Sequence, residues 1–255
     1  MINRPLVVLP TFDEAGNIAR MIERIAAILP AAGMLVVDDA SPDGTADAAE
    51  AAGARLGGDR VFVLRRPSKD GLGSAYKAGF EWGLNRGHDA LVQMDSDFQH
   101  DPCSLPLLID ALDRGAEMAI GSRYVPGGSL PANWGRHRRA LSHWGNRYAG
   151  LMLGLEVSDA TAGFRAIRAS LLRRLDLESI RADGYGFQIE LTYRVRLAGG
   201  TVREVPIQFG ERAVGESKMS GRIILEAFLV VTGWGLRDRA LRNRTPDIER
   251  QRSRR

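Results

Sequence analysis

Asp95-Ser96-Asp97 is a compact pair of carboxylate oxygen ligands. Two carboxylates at i and i+2 follow the apolar run Ala90-Leu91-Val92-Gln93-Met94, and Gln99 adds a carboxamide oxygen two residues further on. Mg²⁺ or Mn²⁺ favours such hard ligands and ordinarily shares its coordination with substrate phosphates. Alone, the pattern also describes a common turn. A second acidic segment, Asp38-Asp39-Ala40-Ser41-Pro42-Asp43-Gly44-Thr45, follows another apolar run. Asp43 or Thr45 suits a helix cap. That leaves Asp38 and Asp39 at a strand end, where a carboxylate accepts hydrogen bonds from a ribose or a base. Arg123, Arg138, Arg212 and Lys218 lie in loops or at a helix start, outside the apolar runs. Guanidinium groups that converge on one cleft bind phosphate with bidentate geometry.

Other chemistries lack their signatures. The chain has no G-x-G-x-x-G and no G-x-x-x-x-G-K-[ST]; its nearest approach, Gly71-Leu72-Gly73-Ser74-Ala75-Tyr76, lacks the third glycine. A Rossmann dinucleotide site and a P-loop are therefore disfavoured. There is no Gly-x-Ser-x-Gly, and a single cysteine, Cys103, permits neither a CxxC zinc motif nor a disulfide framework. His100 and His143 read as hydrogen-bonding structural residues.

The elements that must position these groups alternate. Leu6–Leu9, Met34–Val37, Val61–Leu64, Ala90–Met94 and Met118–Ile120 are apolar throughout, as strands covered on both faces are. Helical spacing occupies Asn17–Leu29, Gly44–Leu56, Ser74–Leu84 and Leu105–Leu112. This alternation predicts an α/β fold with a mainly parallel central sheet and helices on both faces. Ligands in such sheets bind beyond the carboxyl ends of the strands. Pro10–Glu14, Asp38–Asp43, Asp95–His100 and Ser122–Tyr124 all fall at that end. The second half is less regular. It predicts a loop over Val125–Asn133, helices over Leu141–Leu155 and Phe187–Leu197, a short strand at Gly163–Ile167, and an extended Thr201–Phe209. A polar loop, Gly210–Gly221, precedes an apolar helix.

With 255 residues, 44% hydrophobic and 26% charged, the composition is that of a folded chain. The net charge of +4 is concentrated in Arg237–Arg255, where eight arginines face three acids; the body is about −1. A nucleic-acid partner is accordingly not expected. No signal peptide and no span of the ~20 residues needed to cross a bilayer are expected.

Taken in order, Pro10-Thr11-Phe12-Asp13-Glu14, Val37-Asp38-Asp39, Asp95-Ser96-Asp97-Phe98-Gln99-His100-Asp101-Pro102 and Gly121-Ser122-Arg123-Tyr124 resemble the GT-A glycosyltransferases of family 2. Within that family the match is nearest to the polyprenol (dolichol) monophosphomannose synthases. Asp159–Arg165, Gly184–Glu190 and Arg212–Met219 resemble later motifs of the same group. The resemblance implies a GT-A (nucleotide-diphospho-sugar transferase) fold, with one domain over 1–243 that ends in an amphipathic helix at about 222–241 and a basic, disordered tail at 244–255. It implies transfer of mannose from GDP-mannose to a polyprenyl monophosphate, with inversion and with Mg²⁺ or Mn²⁺. Pro10, Phe12, Glu14, Val37 and Asp39 would line the nucleotide pocket. Asp95, Asp97 and Gln99 would hold the metal. Arg212 and Lys218 would clamp the diphosphate, and Arg123, Arg138 and Ser142 the acceptor phosphate, with Arg139 an adjacent rival to Arg138. Asp97, Arg123 and Arg212 would carry the catalysis. Phe12, Asp13 and Ala162 stand where Tyr, Asn and Ser are usual.

A lipid acceptor implies peripheral attachment to the cytoplasmic face of a membrane, with a membrane-protein partner as a further candidate. Two rivals stand beside this reading: a relative that uses UDP-glucose on the same lipid, and a non-catalytic nucleotide-sugar-binding subunit.

Overall fold

Each apolar run becomes a strand, four of them with both faces buried and Val61–Leu64, at the edge of the sheet, half-buried. The structure, a computed structural model, describes residues 1–57, 59–211 and 228–238. β1 (Pro5–Thr11), β2 (Gly33–Asp38) and β3 (Val61–Arg65) alternate with α1 (Ala15–Ile28), α2 (Thr45–Leu56) and α3 (Leu72–Asn85). β4 (Ala90–Gln93), α4 (Leu105–Asp113), β5 (Met118–Ser122) and α5 (Arg136–Leu153) follow, then β6 (Arg165–Arg168), α6 (Ala169–Leu172), α7 (Gly184–Leu197) and β7 (Val202–Pro206). Residues 228–238 form a further helix, α8.

The seven strands form one sheet in the order β3-β2-β1-β4-β6-β5-β7. Side chains of successive strand residues alternate between two cores. Val7, Leu9, Met34 and Val36 pack with α1, α2 and α4 on one face. Leu6, Val8, Leu35 and Val37 pack with α3 and α7 on the other. α3 lies close because Gly79 has no side chain: a Cβ there would sit 2.4 Å from Val8 Cγ1.

Among the described strands, only β6 runs antiparallel to its neighbours, β4 and β5. Its connection from β5 explains this. The excursion through residues 123–164, α5 included, begins and ends at the carboxyl end of the sheet, so β6 must re-enter from that end. α5 starts at Arg136, five residues before its apolar period begins; its charged first turn and the capless Gly135 carry no sequence signal of that start.

α8 packs on α5 and α7. Thr232 Oγ1 and Tyr148 Oη are 2.7 Å apart, and Arg196 pairs with Asp238 at 2.9 Å. No helix among the described residues is long and apolar enough to cross a membrane.

Candidate active site

The chain winds outward through β1, β2 and β3, then returns to place β4 on the other side of β1. At that reversal the loops leaving β1, β2 and β4 diverge and open a crevice. A cavity of about 610 Å³ occupies it. Pro10, Phe12 and Glu14 line it from β1, Asp39 from β2, and Asp95, Asp97 and Gln99 from β4. Arg123 and Arg138 close the far wall. The β1–β4 ladder ends at Val8↔Gln93, so Pro10 lies beyond the pairing that its missing N–H would interrupt.

These loops are pinned in unusual backbone. Asp13, Ala40 and Phe98 have φ of 62°, 56° and 64°, one in each of the three loops. Non-glycine residues adopt that region at a cost and concentrate at functional sites. Local hydrogen bonds hold the loops there. Asp38 accepts from Thr11 Oγ1 at 3.0 Å, Ser41 Oγ at 2.6 Å and Ser41 N at 3.0 Å. Asp43 accepts from Ala15 N at 3.0 Å and Thr45 N at 3.1 Å, tying the starts of α1 and α2 together. The neighbouring acids therefore divide: Asp38 and Asp43 build the loops, and Asp39 faces the cavity. Burial pushes the Asp39 carboxyl up, opposed by the Arg66 guanidinium 2.6 Å away.

The β4 segment is equally fixed. Tyr76 Oη donates to Asp95 Oδ1 at 3.1 Å, and Gln99 N donates to Asp97 Oδ1 at 3.0 Å. His100 is buried, and burial pushes its pKa down to about 4. Its Nδ1 accepts from Asp95 N at 3.1 Å, so the neutral ring carries its proton on Nε2. This agrees with the structural role expected of His100. Among the described residues no group of three or more His, Cys, Asp or Glu gathers as a cation cage. Asp95 and Asp97, with the Gln99 carboxamide, are oxygen donors of the kind a divalent cation takes when substrate phosphates complete its shell.

Arg123 is not an open phosphate ligand. Its Nε and Nη2 donate to Asp159 at 2.7 and 2.6 Å, and Nη2 also donates to Thr161 Oγ1 at 2.9 Å. Burial opposes its charge, but the hydrogen bonds to Asp159 prevail and hold its pKa above the ordinary range. Arg138 and Ser142, four residues apart, share one face of α5. Arg138 lies 4.0 Å over the Trp134 ring. Arg139 turns the other way and donates to the carbonyls of Pro131, Ala132 and Trp134. It anchors the loop before α5 and does not line the cavity. Ser142 accepts from Tyr124 Oη at 2.6 Å and lines a second, apolar pocket with Leu141, Trp144, Tyr148 and Phe228. The two cavities share Arg123, Trp134, Thr161 and Tyr185.

One expectation needs correction. Val37 does not line the cavity; its side chain is fully buried in the core with Val8 and Tyr76, because strand alternation turns it toward α3. Arg212, Lys218, the start of the 222–241 helix, its last residues and the 244–255 tail lie outside the described residues. The sequence reading also overlooked the loop after β3, although it leaves the sheet at the same end. That loop carries Arg66, the partner of Asp39, and Lys69, whose Nζ sits 3.7 Å over the Phe12 ring. Asp183 and Gln188 of the α7 region also line the cavity. Gln188 falls in the Gly184–Glu190 segment, singled out only for its likeness to a motif, and Asp183 directly precedes it.

A doubly covered α/β sheet with acids at its switch point, and cations on the opposite wall, defines a nucleotide-type transferase architecture. The sequence profile described as Glycosyl transferase family 2 matches residues 6–176, and the chain belongs to that family. It is 49% identical over 233 residues to the undecaprenyl-phosphate mannosyltransferase of Micrococcus luteus, covering 91% of this chain and 94% of the relative. It is 48% identical over 241 residues to the polyprenol monophosphomannose synthase of Mycolicibacterium smegmatis, covering 94% and 90%. Among solved structures, glucosyl-3-phosphoglycerate synthase from Mycobacterium tuberculosis, in complex with Mn²⁺, UDP-glucose and phosphoglyceric acid, superposes with a TM-score of 0.65. That match has 22% identity, over 91% of this chain and 80% of the other, and shows the shared GT-A fold.

Proposed function

We propose that the chain transfers mannose from GDP-mannose to a polyprenyl monophosphate, with inversion, at the cavity described above. One observation carries this reading: a carboxylate-bearing cavity and an apolar pocket meet at Arg123, Trp134, Thr161 and Tyr185. A nucleotide sugar suits the first, and an isoprenoid the second. The names of the relatives support the same donor sugar and acceptor class.

A phosphate monoester is an anion at pH 7, its second pKa lying near 6. It needs no general base to attack the anomeric carbon. The protein's task is positioning and charge balance. Phe12, Glu14 and Asp39 would hold the nucleoside. Asp95, Asp97 and Gln99 would hold Mg²⁺ or Mn²⁺, which when bound offsets charge on the leaving diphosphate. Arg212 and Lys218 would complete that clamp. Arg138 and Ser142 would receive the acceptor phosphate, with Arg123 fixed beside them by Asp159.

In this reading the single domain binds a membrane peripherally. α5 and α8 expose Leu141, Trp144, Leu151, Leu229 and Leu236, five of the eight exposed large hydrophobic residues among the described residues, and Leu141 and Trp144 line the apolar pocket. Arg136, Arg147 and Arg237 are exposed on the same helices. Apolar side chains bordered by arginines suit an anionic bilayer surface. The cytoplasmic face fits the single free cysteine, Cys103.

The test is transfer of radiolabel from GDP-mannose to a short polyprenyl phosphate, with Mg²⁺, Mn²⁺ or EDTA, read in the organic phase. Metal-dependent lipid label is expected. Label from UDP-glucose alone would replace the donor, and no label from any donor would favour a non-catalytic subunit.

A further inference from the structure

The cavity holds a polar side chain that none of the roles above employs. Gln188 of α7 lines it and is only 2% exposed. Neither Oε1 nor Nε2 has a hydrogen-bond partner among the described residues. Buried amides are ordinarily paired, so one left open calls for an explanation.

Its backbone is held firmly. The Gln188 carbonyl accepts from Arg165 Nη1 and from Thr192 Oγ1, both at 2.9 Å. Arg165 is fully buried, and its other donors reach the carbonyls of Ala160 and Ala162, each at 2.7 Å. Burial pushes the Arg165 pKa down to about 9, still above neutral pH. One buried cation thus fixes both α7 at Gln188 and the turn that leads into Gly163.

Gly163 shows where the amide faces. A Cβ at that position would lie 3.5 Å from His100 Cε1, 3.8 Å from Asp95 Oδ2 and 3.8 Å from Gln188 Nε2. The absent side chain leaves a polar floor bounded by a carboxylate, a carboxamide and an imidazole. A carboxylate accepts only, whereas a carboxamide both donates and accepts. That set matches sugar hydroxyls.

We propose that Gln188 hydrogen-bonds a hydroxyl of the donor sugar on this floor and so discriminates among hexoses. The inference rests on the reading of the chain as a nucleotide-sugar transferase; the identity of the acceptor does not enter it. A sugar lacking that hydroxyl leaves the amide open in the complex, which a built polar site penalises strongly.

The test is Gln188→Leu, which keeps the bulk and removes both polar ends. The thermal midpoint is expected to stay or rise, because an unpaired buried amide is gone. GDP affinity is expected to stay within about 2-fold, and kcat/KM for GDP-mannose to fall roughly 10- to 100-fold. A series of deoxy-sugar donors locates the contact: with one of them, wild type and variant become equal. Gln93→Leu is the control, since its amide is also buried and unpaired but does not line the cavity. It should leave the ranking of donors as it is.

Four results would overturn the inference: unchanged kcat/KM in Gln188→Leu, an equal loss of GDP affinity, no deoxy donor that closes the gap, or the same donor shift in Gln93→Leu. A wild-type protein that uses UDP-glucose instead overturns only the donor assigned above, and Gln188→Leu is then judged by the same criteria on that sugar.

Discussion

The two cavities that meet at Arg123 are made of opposite materials. The larger is built from short loops that leave the parallel strands, their strained backbone locked by Asp38 and Asp43. The smaller lies between α5, α8 and the sheet-packed α7, and its walls are aromatic and aliphatic. Trp144, Tyr148 and Phe228 stack within 6 Å of one another there, with Trp144 still 52% exposed. The carboxyl end of a sheet fixes charged groups to within a hydrogen bond, as a polar donor requires. A helix pair offers length and an apolar surface, as a lipid requires. The chemistry falls at the seam, where the residues belong to both.

Breaking the polar half should have the largest effect. Asp97→Ala is expected to lower transfer by about 10³-fold or more, as loss of a charge-stabilising group does, while the thermal midpoint changes little. Radiolabel transfer and circular dichroism check this; substantial remaining activity would remove Asp97 from the metal-binding role. Breaking the seam should act on folding instead. Asp159 is fully buried and Arg123 nearly so. Asp159→Asn leaves the guanidinium without its counter-charge, and a loss of about 3–5 kcal/mol in urea unfolding is expected. A double replacement, Arg123→Met with Asp159→Leu, should recover part of it. A loss below about 1 kcal/mol would mean that Arg123 is held by something else.

The polar half was the more legible in sequence. Apolar runs of three to five residues that alternate with helical spacing read as strands of a covered parallel sheet, and the acids after three of them then share one end of it. What the pattern left open was the division of labour. Asp38, Asp39 and Asp43 are alike in type, and only the turn geometry shows that two of them serve the backbone. Val37 was misjudged because its place in a motif says nothing about which face of the strand it occupies. The apolar half was less legible. The first turn of α5 is a run of arginines and histidine, which hides a helix start, and the direction of β6 follows from a connection that no local period encodes. The Arg123–Asp159 pair spans 36 residues, beyond the reach of any local spacing rule.

Removing the exposed part of the apolar half should separate membrane binding from chemistry. Trp144→Ser combined with Leu151→Ser deletes two large side chains, 52% and 69% exposed, from one stripe of α5. Burial in the bilayer interface stabilises by roughly 25 cal/mol per Å² of apolar surface. Partition onto anionic vesicles is expected to fall about 10-fold or more by co-sedimentation, while transfer to a soluble phosphate acceptor, too short to enter the apolar pocket that Trp144 lines, stays within about 2-fold. The residual binding should weaken with salt, since Arg136, Arg147 and Arg237 act through a screened potential. Equal partition of variant and wild type would move the bilayer contact off α5.

The smallest effect expected sharpens the polar half from within. Phe12 is read as part of the nucleotide pocket, where its ring offers the nucleobase a face to stack on, yet the Lys69 ammonium lies 3.7 Å over that ring. Cation and base cannot occupy one face together, so Lys69 must move aside before the base stacks. Lys69→Met removes the stronger competitor and keeps the reach of the side chain. GDP is then expected to bind about 2- to 5-fold more tightly, the order of a partly exposed cation–π contact, by isothermal titration calorimetry. Weaker binding would mean the opposite assignment: Lys69 would be acting on the diphosphate, and the loop after β3 would join Arg212 and Lys218 in holding it.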